Sequence, residues 1–137
     1  MKSVTIVSED RVGLLADISY VLGKSSLNID GLVVDVIGGK AVISLEVKDP
    51  KKAKDILERN GFETAKPDAI VIKVANDSVG KVTEMLEGEK VNVTEMTTLS
   101  GDNRDTVFAV HADKPRKATK MLAPFLLGND PEPRGYG

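Results

Sequence analysis

The sequence predicts an α+β fold built from two consecutive βαββαβ units, and an internal repeat is the main reason. The dipeptide Val-Gly occurs at residues 12–13 and 79–80, after a short β-branched segment and before an amphipathic helical pattern in both places. An asparagine then begins a β-branched stretch in each half, and a basic segment led by a proline follows later. A repeat in this order indicates two copies of one supersecondary unit.

The elements of the first half follow from its side-chain pattern. Residues 3–7 are β-branched and predict the first strand, and Pro50, near the start of a basic segment, predicts the first turn of a second helix. Gly38 and Gly39 predict a two-residue hairpin turn, since glycine adopts the positive φ of such turns at no steric cost. Residues 41–47 alternate, which predicts a strand with one buried and one wetter face. The first helix is predicted by apolar residues at helical spacing: Leu14, Ile18, Val21 and Leu22.

The second half repeats this order with departures. Residues 69–74 predict its first strand and residues 113–122 its second helix, while the turn at residues 100–105 is longer and polar. Only residues 125–127 are left for a fourth strand, so we expect that strand to be truncated or missing. The first helix is predicted to be about one turn shorter than in the first half, from the spacing of its apolar residues: Val82, Met85 and Leu86.

Both halves therefore predict the ferredoxin-like plait, in which an antiparallel sheet carries both helices on one face. We expect a first unit at residues 1–66, a second at 67–127 and a flexible tail at 128–137. Units of this size bury little surface alone, so the halves are expected to unfold as one body with their sheets joined or adjoining. An open edge at the end of the second unit and an apolar face at Phe108 favour a homodimer.

Composition and charge restrict the function. Of the 137 residues, 41% are hydrophobic and 29% charged, and the formal net charge is -2, which attracts neither nucleic acid nor an anionic membrane. The absence of cysteine excludes disulfides, thiolate nucleophiles and cysteine-ligated metals. No apolar run is long enough for a secretory signal or a membrane span, so we expect a cytoplasmic protein that binds no nucleic acid and no membrane.

The loop before the first helix is the candidate ligand site. In EDRVGLLADI, residues 9–18, charged residues precede a glycine at the start of an amphipathic helix, where unpaired amides hold partial positive charge and bind carboxylates. Gly13 gives a ligand access to the backbone, and Asp10 or Asn28 faces its ammonium group. A tight turn, with Asp10 as helix cap and Arg11 paired in solvent, explains the same residues. Both interpretations stay open at this point.

Two stretches carry a resemblance to a known family: DRVGLLADISYVLGKSSLNID at residues 10–30, and a weaker copy made of NDSVGKVTEML and VNVTEM. With them the chain resembles a tandem pair of ACT domains over about residues 1–123. The resemblance implies βαββαβ domains that bind amino acids or similar metabolites where two domains meet. It further implies a regulator of a metabolic enzyme or transporter. Many such domains are fused to the protein they control, and since this chain carries no such domain, we expect a stand-alone regulator without catalytic activity.

The resemblance and the loop pattern together give the predicted ligand-binding residues. The first half contributes Asp10, Arg11, Val12, Gly13, Leu14, Asn28 and Ile29, and the second half contributes Asn76, Asp77, Gly80 and Asn92. Because the first helix of the second half is shorter, its candidate residues cannot have the same geometry as those of the first half, and one of the two sites is expected to be degenerate. No catalytic residue, metal ligand or cofactor is predicted, and His111, alone in an apolar run, is expected to be structural.

Two other classes of ferredoxin-like protein remain as alternatives. An RNA-binding or protein-interaction module is one, but RNA-binding plaits stack bases on aromatic residues of the central strands, and residues 3–7 and 41–47 contain none. An acylphosphatase-like enzyme is the other, because Arg11 and a helix start can hold phosphate. No glycine-rich phosphate loop accompanies them. Salt-sensitive RNA binding, acyl-phosphate turnover and saturable stabilisation by an amino acid distinguish the three functions.

Overall fold

The computed structural model describes residues 2–128, so the predicted tail lies outside the described residues except for Gly128. The first unit consists of β1 (Ser3–Glu9), α1 (Leu14–Lys24), β2 (Gly31–Ile37), β3 (Lys40–Glu46), α2 (Pro50–Arg59) and β4 (Glu63–Thr64). The second unit consists of β5 (Ile70–Ala75), α3 (Val79–Gly88), β6 (Val93–Gly101), β7 (Asp105–Ala112) and α4 (Pro115–Met121). None of these helices is long and apolar enough to cross a membrane.

The first unit has the predicted ferredoxin-like topology. Its antiparallel sheet runs in the order β2-β3-β1-β4, and both helices pack with β1 and β3 in one core. Gly38 and Gly39 form the hairpin turn between β2 and β3 with φ of 59° and 77°, the left-handed values that glycine adopts freely. Asp49 caps α2 by accepting the amide of Lys52, and Pro50 occupies the first turn. Local sequence signals thus define each element.

The second unit has a three-stranded antiparallel sheet in the order β5-β7-β6. In place of a fourth strand, a single bridge joins Leu126 to Ile72, and the amide of Leu127 donates to the carbonyl of Val71 at 2.9 Å. This short segment covers part of the outer edge of β5. Helices α3 and α4 pack on one face of the sheet, as in the first unit.

The two sheets pack against each other through the faces that turn away from their helices. Ile37 and Val42 of the first unit form one buried cluster with Val71 and Val107 of the second, and none of the four is more than 6% exposed. The layers therefore run helices, sheet, sheet, helices. The alternating pattern of β3 predicts that Val42 lies on the more solvent-exposed face of the sheet. That prediction is wrong, because the second sheet covers this face and Val42 is buried.

Polar contacts fix the register between the two sheets. Lys73 Nζ lies 2.7 Å from Asp35 Oδ2, and the two side chains are only 16% and 26% exposed. Ser100 Oγ donates to the carbonyl oxygen of Ile37 at 2.7 Å. Because charges largely withdrawn from water need a partner, a shifted arrangement of the sheets that separated Asp35 from Lys73 would be disfavoured.

The apolar face at Phe108 is used inside the chain. The Phe108 side chain packs into the core under α3 and α4, whereas its neighbours Val107 and Ala109 are 0% and 2% exposed on the other face of the sheet. Both faces of β7 are therefore covered within one copy. The expectation that a second copy covers the Phe108 face has no support in this fold.

Candidate functional site

The first loop, residues 10–13, leads from β1 into α1 and turns at Gly13. Gly13 has φ of 84° and ψ of 0°, and it precedes the helix without a side-chain cap. A Cβ at this position would have no atom of the described residues within 4 Å, so the space above the turn is open. A ligand beside the backbone at Gly13 needs such open space, and its binding there stays a prediction.

The amides of this helix start are mostly unpaired, which concentrates partial positive charge there. The amide of Leu14 makes only a 3.3 Å bond to the carbonyl of Arg11, and the first regular bond is that of Asp17 to Gly13 at 2.9 Å. Within residues 2–128, no acceptor is found for five amides: those of Arg11, Val12, Gly13, Leu15 and Ala16.

The side chains around the loop leave these amides accessible. Arg11 folds back onto α1, where its Nη2 lies 2.8 Å from Asp17 Oδ2, so its charge is offset by a carboxylate. The Asp10 side chain is exposed and its amide donates to the carbonyl of Gly39 at 3.3 Å, while Val12 is 101% exposed. Leu14 is 5% exposed in the core and presents only its backbone to the loop.

Asn28 and Ile29 lie at the opposite end of the first unit. Strand register places the loop beside the pair Glu9 and Lys40, whereas β2 begins at Gly31, opposite Glu46 and Ser3 at the far end of β1. The length of β1 separates the two ends by about 20 Å. Asn28 is exposed there, and Ile29 packs partly against the core. Within one copy, the predicted ligand residues are therefore not brought together.

The second loop, residues 76–80, has a different local structure. A 3₁₀ turn over Asn76–Ser78 leads directly into α3, so Gly80 lies inside the helix and lacks the left-handed φ of Gly13. The Asn76 side chain is bonded at both ends: Nδ2 donates to the carbonyl of Asp102 at 3.1 Å, and Oδ1 accepts from Thr106 Oγ1 at 2.6 Å. Asp77 accepts from its neighbour Ser78.

Asn92 is engaged in a similar way at the far end of the second unit. Its amide donates to Asp113 Oδ1 at 2.9 Å and its Nδ2 to Asp113 Oδ2 at 3.3 Å. Sequence reasoning missed the partners of these asparagines, although the polar turn at residues 100–105 was a signal for one of them. In that turn the amides of Asp105 and Arg104 donate to Asp102 Oδ1 and hold the pKa of Asp102 below its ordinary value.

Comparison with known proteins gives a family match for the first half of the chain. Residues 2–59 match the ACT domain, and no curated protein sequence matches the chain significantly. A crystal structure of a Bacteroides thetaiotaomicron protein is similar at 23% identity, covering 94% of this chain and 93% of that one, with a TM-score of 0.49. The regulatory subunit of aspartate kinase from Thermus flavus is similar at 16% identity, 89% and 90% coverage and a TM-score of 0.48.

The family match falls on the part of the chain that contains the first loop and most of the first sheet. Residues 2–59 fold here into β1, α1, β2, β3 and α2, with the left-handed Gly13 between the first strand and the first helix. Sequence, topology and loop geometry agree over this segment. The segment at residues 2–59 therefore matches the ACT domain, and it does so with the strand and helix order described above.

Proposed function

We propose that this chain is a regulatory module that binds an amino acid, or a metabolite of similar size with a carboxylate and an ammonium group. The observation that carries the proposal is the first loop, where unpaired amides face open space above the left-handed Gly13. Amides at a helix start bind a carboxylate, and the exposed Asp10 side chain supplies the negative charge that an ammonium group needs. By this binding the chain regulates an enzyme or transporter of the same metabolite.

The outer edge of β2 is the proposed contact between two copies of the chain. Among residues 2–128, β2 is the last strand of its sheet, and one row of its backbone groups has no neighbouring strand there. On its helix-facing side, Leu32, Val34 and Val36 are 46%, 40% and 49% exposed, because the helices do not extend over this strand. A strand edge beside an exposed apolar row favours pairing with the same strand of a second copy.

Such pairing would complete the ligand site. If two copies of β2 run antiparallel about Val34, Gly31 of one copy lies opposite Ile37 of the other, so the segment before β2 passes the hairpin turn that leads to Lys40. Lys40 pairs with Glu9, directly before the first loop and two strands from the edge. The neighbour's β2 is one strand further out, so three strand spacings, about 14 Å, separate it from β1. A ligand on the first loop and the Asn28 side chain of the other copy would bridge this gap. The proposed site thus combines Asp10–Gly13 of one copy with Asn28 and Ile29 of its neighbour.

The second unit is proposed not to form an equivalent site. Asn76 and Asn92 already bond to residues of their own unit, and Gly80 lies within a helix. The outer edge of β6 exposes polar side chains, among them Thr94, Glu95 and Thr97. Its register shifts near both ends, and such irregularities discourage pairing of an edge strand. Each dimer therefore carries two sites, both on first units.

The packing of the sheets disfavours the RNA-binding alternative. A plait that binds RNA stacks bases on an open sheet face, and here the face without helices is buried against the other sheet. Val42 and Val107, at the centre of that contact, are both 0% exposed. The sheets would have to separate before either could bind a base.

We expect one or a few of the twenty common amino acids to stabilise the protein in a thermal-shift screen. A ligand at a hundred times its Kd raises the melting temperature by about 5 to 10 °C for a chain of this size. The shift should saturate with concentration and should be absent in Gly13→Ala. If no amino acid or related amino-group metabolite shifts the melting temperature, the proposed function is wrong.

We expect Val34→Lys to convert a dimer into a monomer. The charge at the centre of the proposed strand pair would face its own copy across the two-fold axis, and two like charges cannot be buried there without a large cost. Light scattering measures the change in mass. Thr97→Lys, which adds the same charge to the exposed β6 edge, is the control and should stay dimeric. A wild-type protein that remains monomeric at high concentration contradicts the proposed interface.

A further inference from the structure

The hairpin turns of the two units interlock at one end of the molecule. Gly38, in the turn between β2 and β3, lies so close to the second unit that a Cβ there would collide with the carbonyl oxygen of Gly101. Beside this contact, Ser100 Oγ donates to the carbonyl of Ile37 at 2.7 Å, and Ser100 is only 8% exposed. The two hairpins therefore fit each other through backbone atoms and one buried hydrogen bond.

Each hairpin is also tied to the loop of its own unit. In the first unit the amide of Asp10 donates to the carbonyl of Gly39. In the second unit Asn76 binds the turn between β6 and β7 three times: its amide donates to the carbonyl of Arg104 at 2.9 Å, and its side chain bonds to Asp102 and Thr106. A continuous series of contacts thus joins the first loop to the second loop.

We propose that this series couples the two loops, so that a change at one of them alters the stability of the other. The first loop has unpaired amides and open space, whereas Asn76 of the second loop is bonded to the neighbouring turn by its amide and by both ends of its side chain. A movement of Gly39 with the first loop shifts Gly38 against the Gly101 carbonyl. The next residue, Asp102, accepts a hydrogen bond from the Asn76 side chain, so the shift reaches the second loop. Close contact between backbone atoms allows little independent movement.

The coupling is a property of the protein without ligand, so it goes beyond the proposed binding function and is tested separately. If a ligand binds the first loop, the proposal places the resulting change in stability at the start of α3. This would give the second unit a part in regulation without a ligand site of its own. Asn76 is a positioning residue in this arrangement, because it connects a turn to a helix start.

The test measures backbone amide hydrogen exchange in the unliganded protein, across the contact between the units. Gly38→Ala alters the first unit, and its effect is measured as the exchange rate of the Asn76 amide in the second unit. Ser100→Ala alters the second unit, and its effect is measured as the exchange rate of the Asp10 amide in the first unit. Gly61→Ala is the matched control for the first variant, since Gly61 is also left-handed in the first unit, a Cβ there meets no atom within 4 Å, and it lies outside the series of contacts. Thr97→Ala, on the exposed side of β6, is the control for the second.

We expect exchange to rise about fivefold or more at the distant amide in both test variants, the lower end of typical coupling between sites. Exchange at the Asn76 amide should be unchanged in Gly61→Ala, and exchange at the Asp10 amide should be unchanged in Thr97→Ala. Unchanged exchange at the distant amides of folded Gly38→Ala and Ser100→Ala would overturn the proposal. If Gly38→Ala fails to fold, Ser100→Ala decides alone, because it removes one hydrogen bond without adding volume.

Discussion

Gly13→Ala and Asn28→Ala are each expected to impair amino-acid binding severely, and a mixture of the two variants is expected to regain it. The Cβ at position 13 would occupy the open space above the first loop, which the proposed site gives to the ligand. Loss of the Asn28 amide leaves a ligand charge without its partner, which weakens binding by about 1 to 3 kcal/mol. Neither change causes a collision, since position 13 is open and Asn28 is exposed, and the left-handed φ of 84° at position 13 costs alanine only about 1 to 2 kcal/mol.

The mixture distinguishes a site between copies from a site within one copy. In a mixed dimer, one site combines both altered residues and the other combines the two unaltered ones. With free exchange of subunits at equal concentrations, about a quarter of all sites are intact. Isothermal titration should then find about a quarter of the wild-type capacity at the wild-type affinity.

A matched control is Asn92→Ala, which alters the corresponding asparagine of the second unit. Asn92 is bonded to Asp113 within its own unit, so this variant should bind the ligand as the wild type does. If the mixture of Gly13→Ala and Asn28→Ala stays inactive after subunit exchange has been verified, the two residues do not share a site across the dimer. The location of the ligand would then have to be sought within one copy.

The local structure of the first unit was predictable because its signals act over a few residues. The hairpin turn requires left-handed backbone, which Gly38 and Gly39 adopt freely, Pro50 suits a first helical turn, and the apolar spacing of α1 indicates one buried face. The face-to-face packing of the sheets was not predictable in the same way. Burial of Val42 depends on Val71 and Val107, which are distant in sequence. In β1, Ser3 and Thr5 are buried on the face that turns away from the helices, and their polar side chains gave no indication that this face is covered.

The candidate site was predictable in its parts and not in its assembly. The sequence pattern predicted a tight turn at Gly13, because glycine before an amphipathic helix has a direct steric meaning, and the structure adds its left-handed φ of 84°. The position of Asn28 depends on the register and direction of β2, which place it at the far end of the unit. The second Val-Gly dipeptide was misleading, since the bonds of Asn76 to Asp102 and Thr106 hold a 3₁₀ turn there and Gly80 falls within α3.

Leu22→Ala is expected to have the largest effect on stability, lowering the free energy of unfolding by about 2 to 5 kcal/mol. Leu22 is 0% exposed in the core between α1, α2 and the first sheet, and truncation leaves a cavity that tightly packed neighbours fill only in part. Leu15→Ala is the matched control, because it makes the same substitution in the same helix at a residue that is 43% exposed. Its cost should be about 1 kcal/mol or less.

The same variant tests whether the two units unfold together. Unfolding of the first unit would expose Val71 and Val107 of the second to water and leave Lys73 without Asp35, so neither unit is expected to persist without the other. Calorimetry of Leu22→Ala should therefore show one transition, shifted as a whole to lower temperature. Two transitions, of which only one moves, would mean that the shared core between the sheets contributes too little to link them, and coupling between the two loops would then lack its structural basis.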